Sequence, residues 1–178
     1  MDKSFLRNYY LNLRKSLKNK ETLDEKIFRT LINSREYLEA KSILIYISTS
    51  IEVDTIKIIN QAFIDNKAVY TPVISKGRME FYKTDSLDNL TKNSFNIMEV
   101  NPSICEKYNY TPSDLIVVPA LVYDKELYRI GYGKGYYDKY LENKDLIKVG
   151  LIYNDFLVDT IPYASYDVPV NKVISDKL

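Results

Sequence analysis

Histidine is missing from all 178 residues of the chain. That excludes Ser-His-Asp and Cys-His nucleophilic machinery and every zinc site built on imidazole. Cysteine occurs once, as Cys105, so no internal disulfide can form and no soft-metal site can be assembled. A lone thiol fits cytosolic life, and a cytoplasmic protein is expected. Long apolar runs are missing too. The longest, LIVVPALVY at 115–123, is far short of the ~20 residues that a spanning helix needs. The opening MDKSFLRNYYLNLRKSLKNK has no apolar stretch suited to a secretion signal. Neither sign of charge dominates: 25 Lys and Arg stand against 24 Asp and Glu. A net charge of +1 gives no field for nucleic acid or an anionic membrane, so neither is expected as a partner. A phosphate site has to be a local cluster. The chemistry left open uses carboxylates, lysines, or charge and placement around a phosphate. A hard cation such as Mg²⁺ needs only carboxylate and phosphate oxygens.

What is present fits one domain over 1–178, with a sizeable core. Residues 3–19 predict a basic amphipathic helix with Phe5, Leu6, Leu13 and Leu17 near one stripe. Residues 22–40 predict a second, with Thr22 as a possible cap and Glu25 three residues on. Residues 53–66 predict a third, with Ile56, Ile59 and Phe63 on one face. Strands are predicted at 42–48, at 67–74 with its end at Pro72, at 78–84, at 114–123 and at 146–153. A short helix is predicted at 136–143. Residues 85–113 read as loops with one short helix at most, and 154–178 as a tail without a strand. Apolar strands alternating with helices predict a three-layer α/β domain, Rossmann-like, with a mainly parallel sheet and helices on both faces.

Glycine is scarce, at five residues, yet Gly131, Gly133 and Gly135 fall together in RIGYGKGYYDKYL at 129–141. The order strand, loop, glycines, helix puts them beyond the carboxyl end of a strand, where open parallel sheets bind ligands. Glycine permits positive φ and close backbone approach. Free N–H groups at a helix start make an anion cradle, and Arg129 and Lys134 add charge. A polyphosphate suits such a place. The pattern is neither a Walker A loop nor the dinucleotide fingerprint. The alternative is a loop whose glycines serve tight turns. Asp138 follows closely enough to hold Mg²⁺ against phosphate, or to serve as a charge in the first turn of the helix. Tyr136 and Tyr137 have two uses, stacking on a flat ring or packing against the sheet.

The stretch DLIVVPALVYDKELYRIGYGKGYYDKYL resembles the signature of the 5-formyltetrahydrofolate cyclo-ligases, also called methenyltetrahydrofolate synthetases. KSFLR, IEVDT, FNIMEVNP and IPYASYDVPVNKVIS resemble further elements of that family in the same order. The resemblance implies a fold like those of sugar-phosphate isomerases and CoA-transferases. It implies an ATP- and Mg²⁺-dependent closure of 5-formyltetrahydrofolate to 5,10-methenyltetrahydrofolate, with release of ADP and phosphate. By the same resemblance, Lys3, Arg7 and the run Arg129, Ile130, Gly131, Tyr132, Gly133, Lys134, Gly135, Tyr136 and Tyr137 bind ATP. Lys134, Arg129 and Tyr136 carry catalysis. Glu52 takes the donor edge of the pterin, Ile47 and Phe95 form apolar wall, and Tyr132 to Tyr136 line the folate side. Asp138 and Asp167 hold Mg²⁺. Tyr132, Tyr136 and Asp138 are the candidates for assisting loss of the N10 proton. The chain departs from the family pattern at Ala120, Leu127, Phe156, Ala164 and Tyr166. Partners are small molecules, and the expected state is a monomer, with a homodimer as the alternative. Rival readings are a phosphate-binding isomerase or transferase of related architecture and a non-catalytic nucleotide-binding module.

Overall fold

In a computed structural model, which describes residues 2–93 and 97–177, six strands form the central sheet in the order β11-β9-β6-β1-β2-β3. They are β1 (Ser42–Ile45), β2 (Ala68–Ser75), β3 (Arg78–Lys83), β6 (Leu115–Val118), β9 (Ile147–Ile152) and β11 (Lys172–Ser175). Every neighbouring pair is parallel except β2 and β3. Those two close through Lys76 and Gly77, both at positive φ, the backbone a two-residue hairpin requires. All four side chains of β6, and Ile43 to Ile45 of β1, are buried, so both faces of the sheet centre are covered. The helices are α1 (Lys3–Lys15), α2 (Lys20–Ile32), α3 (Arg35–Glu39), α4 (Ile56–Ile64) and α5 (Tyr136–Leu141). A short hairpin, β4 (Thr91–Lys92) with β5 (Met98–Glu99), and a small sheet, β10 (Leu157–Val158), β7 (Val122–Asp124) and β8 (Arg129–Ile130), complete the fold.

Several local expectations change. The run 114–123 is two strands: β6 ends at Val118 and β7 belongs to the small sheet. Between them, Pro119 brings no N–H to the ladder. The carbonyls of Ala120 and Leu121 turn to Arg14, which donates to them at 2.7 and 3.0 Å. Its guanidinium lies over the Phe156 ring, 4.8 Å from the centroid. That contact rotates α1 away from the expected stripe. Leu6 and Arg14 are its buried residues, whereas Phe5 is 57% and Leu13 39% exposed.

The second predicted helix starts earlier, after Asn19, so Thr22 is not its cap. It breaks at Asn33 and Ser34, and Ser34 Oγ then caps α3 by accepting from Tyr37 N. The buried face of α4 is Ile58, Ile59 and Ala62. β2 runs through Pro72 to Ser75 because β1 pairs only with Ala68 to Tyr70, leaving Pro72 no ladder on that side. The tail does contain a strand: β11 pairs with β9 in parallel.

The two sheets meet at one point without spare volume. Tyr123 of β7 is fully buried and donates its hydroxyl to the Val118 carbonyl at 2.9 Å. A Cβ on Gly150 of β9 would stand 2.4 Å from that ring. Gly150→Ala therefore overpacks the junction and is expected to cost about 3 kcal/mol. Denaturant unfolding that stays within 0.5 kcal/mol of the parent would contradict this packing.

Candidate functional site

From β1 the chain winds one way to β2, and from β6 the other way to β9 and β11. The sheet therefore reverses direction between β6 and β1. Open α/β sheets place their ligands in the crevice at such a reversal, beyond the carboxyl ends of the strands. A cavity of about 560 Å³ lies there. Its lining comes from the segment after β1, from Pro119 after β6, from the glycine loop with α5, from the first turns of α1, and from the β4–β5 hairpin. Ile47, Glu52, Lys3, Arg7, Asp138, Asp167 and all of Arg129 to Tyr137 line it. Phe95 lies outside the described residues.

The glycine loop is held from above. Leu6 packs with Val122, Ile130 and Ile161, which seats α1 on β8. Lys3 and Arg7, one turn apart, then reach over the loop. Arg7 Nε donates to the Gly131 carbonyl at 3.2 Å. Its guanidinium crosses Gly133, where a Cβ would stand 3.2 Å from Nε. Gly133 has φ +94°, and Gly135, before α5, has φ +66°. These two glycines are required by conformation, and Gly133 by space as well.

A second group links the loop to the tail. Arg129 Nη2 donates to Asp138 Oδ1 at 2.7 Å, and Nη1 to the Val168 carbonyl at 2.6 Å. The Val168 N–H returns to Asp138 Oδ1 at 3.0 Å. Asp167, the residue before Val168, lines the same cavity. Its Oδ2 accepts from Lys3 Nζ at 2.5 Å and from Ala164 N at 2.6 Å. Among the described residues, Asp138 Oδ2 and Asp167 Oδ1 have no hydrogen-bond partner, and no group of three or more His, Cys, Asp or Glu could enclose a metal. Two carboxylates lining one cavity, with one open oxygen each, suit Mg²⁺, which keeps waters and takes phosphate oxygens for its other positions. Of the cavity's cations, Lys3, Arg7 and Arg129 bind protein oxygens, whereas Lys134 is exposed and has no partner among the described residues.

The third group surrounds Glu52, which is 7% exposed. Its Oε1 accepts from the Tyr132 hydroxyl at 2.8 Å, and its Oε2 from Thr49 N and Oγ1, both at 2.8 Å. The Tyr153 hydroxyl fixes the Glu52 carbonyl at 3.0 Å and Asp24 Oδ1 at 2.7 Å. Burial, and then the Glu52 charge, hold the phenols of Tyr46, Tyr132 and Tyr137 above their ordinary titration range. They stay protonated at neutral pH, and Tyr132 and Tyr46 donate, to Glu52 and to the Val53 carbonyl. Ile47 packs with Val73, Leu90 and Val100 under the β4–β5 hairpin, and Met79, Ile97 and Met98 extend this apolar wall. The family resemblance names Ile47 for this wall, but nothing in the sequence points to Met79, Ile97, Met98 or Thr49, which need the hairpin to fold back and the 49–52 turn to close.

A larger, shallower hollow of about 1000 Å³ opens beside the start of α2. Several of its charges pair internally, Lys20 with Asp24, and Arg29 and Lys57 with Glu25. The cavity at the reversal has the open charge, the glycines and the apolar wall.

Fold and site together define an α/β enzyme with phosphate-compatible and apolar subsites in one cavity. The sequence pattern of the 5-formyltetrahydrofolate cyclo-ligase family matches residues 1–176. The chain is 32% identical to a probable 5-formyltetrahydrofolate cyclo-ligase of Caenorhabditis elegans, over 97% of this chain and 91% of that one. It is 29% identical to the 5-formyltetrahydrofolate cyclo-ligase of Haemophilus influenzae, over 85% and 84%. The solved structure of 5,10-methenyltetrahydrofolate synthetase from Aquifex aeolicus superposes with a TM-score of 0.87 at 31% identity, over 100% of this chain and 91% of that one. The chain belongs to the 5-formyltetrahydrofolate cyclo-ligase family.

Gly133→Val tests the cradle. The side chain must displace the Arg7 guanidinium and adopt a positive φ that β-branched residues avoid. Triphosphate binding, followed by calorimetry, is expected to weaken at least tenfold, with the melting temperature only a few degrees lower. Unchanged affinity would detach the loop from phosphate binding.

Proposed function

We propose that the protein catalyses the ATP- and Mg²⁺-dependent closure of 5-formyltetrahydrofolate to 5,10-methenyltetrahydrofolate, with release of ADP and phosphate. The observation that carries this reading is one cavity lined both by a glycine loop with the unpaired Lys134 and by a buried carboxylate, Glu52. The family supports the same chemistry. The Arg7-braced loop holds the triphosphate, and Lys134 meets the transferring γ-phosphoryl group. Asp138 and Asp167 would hold Mg²⁺, which supplies neutralisation of phosphate charge when bound. Glu52 takes the N–H edge of the pterin's aminopyrimidinone, displacing the Tyr132 hydroxyl from Oε1. Ile47 and Met98 border the folate.

The formyl oxygen attacks the γ-phosphorus, the bond to ADP breaks, and an activated formyl carbon results. N10 attacks that carbon, the new C–N bond forms, phosphate leaves with the oxygen, and N10 loses its proton. Phosphoryl transfer relies on placement and charge stabilisation, so a protein without histidine can perform it. Tyr132, Tyr136 and Asp138 line the cavity and are the candidates for the N10 proton. We further propose a cytoplasmic monomer acting on small molecules, supported by the single thiol and the balanced charge. Among the described residues, no helix is long and apolar enough to cross a membrane.

The direct test mixes protein, Mg²⁺, ATP and 5-formyltetrahydrofolate and follows the near-ultraviolet band of the methenyl product. Folded protein without that band refutes the activity, and ATP binding without it favours a non-catalytic module. Lys134→Ala is expected to lower kcat about 100-fold with an unchanged melting temperature, because the lost charge acts on the transition state. Equal kcat would remove Lys134 from the mechanism. Glu52→Gln is expected to raise KM for the folate at least tenfold and to leave KM for ATP within twofold. A shift confined to ATP would reverse the assignment of the two subsites.

A further inference from the structure

Among the described residues, one buried side-chain polar atom lacks a hydrogen-bond partner: the hydroxyl oxygen of Tyr137. Buried hydroxyls are nearly always paired, and an unpaired one destabilises the fold, so this exception calls for a cause. Tyr137 lines the cavity. Its ring packs edge-on against Phe81, with centroids 6.4 Å apart, and its backbone lies in the first turn of α5, just after the glycine loop. The phenol is therefore held in place rather than free to find a partner. Glu52 is near enough to act on it electrostatically, as is Arg129.

We propose that the Tyr137 hydroxyl donates a hydrogen bond to the pyrimidinone carbonyl of the bound folate, beside the N–H edge taken by Glu52. This rests on the folate reading above. An aminopyrimidinone presents an amino group, a ring N–H and a carbonyl oxygen in a row. A carboxylate accepts from the first two, and the third needs a donor. Tyr132 and Thr49 already donate to Glu52. Tyr137 is the donor in this shell that has no acceptor. Its hydroxyl is closed to solvent in the ligand-free protein. The proposal therefore includes a movement: the entering ring displaces Tyr132 from Glu52 Oε1, and the side chains around Glu52 open enough to expose the Tyr137 hydroxyl. Tyr137 would thus be a substrate-binding residue on the folate side, reading oxo against amino at that ring position.

The test is Tyr137→Phe, which keeps the ring and its contact with Phe81. Calorimetry without ATP is run with 5-formyltetrahydrofolate and with an analogue carrying an amino group in place of that carbonyl oxygen. The variant is expected to bind 5-formyltetrahydrofolate about tenfold more weakly, and the amino analogue within twofold of the parent. The ligand-free variant is expected to melt at the same temperature or higher, because the deleted hydroxyl had no partner. Equal affinity for 5-formyltetrahydrofolate overturns the proposal. So does an equal loss for both ligands, which would mark a packing effect, and so does a clear drop in the ligand-free melting temperature, which would reveal a hidden partner. If the parent binds 5-formyltetrahydrofolate through Glu52 and Tyr137→Phe binds it equally well, this inference alone fails. If the parent does not bind it, the folate reading fails too.

Discussion

The Arg129 guanidinium binds three parts of the chain to one another. Its side chain is 5% exposed and reaches Asp138 on α5 and the carbonyl of Val168 in the tail. The Val168 N–H closes the triangle on Asp138. Removing one member of such a buried pair strands the other charge, at a cost of about 3–5 kcal/mol. The pair thus fixes the angle at which the glycine loop leaves β8 and enters α5. It also carries Asp167 to the edge of the cavity, where Lys3 takes hold of it. A cation that reads in the sequence as a phosphate ligand is, in the fold, largely occupied with positioning two carboxylates.

A second buried cation opens the space. A continuous strand from Leu115 to Tyr123 would carry the sheet straight through the cavity mouth. Pro119 interrupts it, and Arg14 takes up the carbonyls of Ala120 and Leu121, so that buried irregular backbone stays satisfied. The same guanidinium donates to the Ile51 carbonyl at 3.2 Å, next to Glu52. One side chain of α1 thereby ties the break after β6 to the turn after β1, the two strand ends between which the sheet reverses.

These long-range ties explain which features the sequence makes legible. The alternation of apolar strands and helices is local, and it specifies a mainly parallel α/β fold. The glycines are legible because positive φ excludes most other residues, and so is the i, i+4 spacing of Lys3 and Arg7. Expectations fail where a distant partner decides. Phe5 and Leu13 look like core until Arg14 rotates α1. The tail looks like loop until Lys172–Ser175 finds the open edge of β9, and Pro72 looks like a strand end until the length of β1 is known. The clasp of Thr49 and Tyr132 on Glu52 joins residues 80 apart in the chain on one side and three apart on the other, and periodicity reports neither.

The empty cavity answers most of its own polar demands. Tyr132 occupies the Glu52 oxygen that a pterin N–H would use. Lys3 occupies Asp167, and the Gly131 carbonyl occupies Arg7. For these groups, ligand binding is an exchange of partners rather than a gain from nothing, and an exchange changes free energy little. Net attraction must come from groups that start without partners. Lys134, exposed on the glycine loop, and the Tyr137 hydroxyl, sealed three residues further on, are such groups. Both line the same cavity. A pair of ligands that reaches both groups gains most, and placement of that kind is the main contribution a protein makes to phosphoryl transfer.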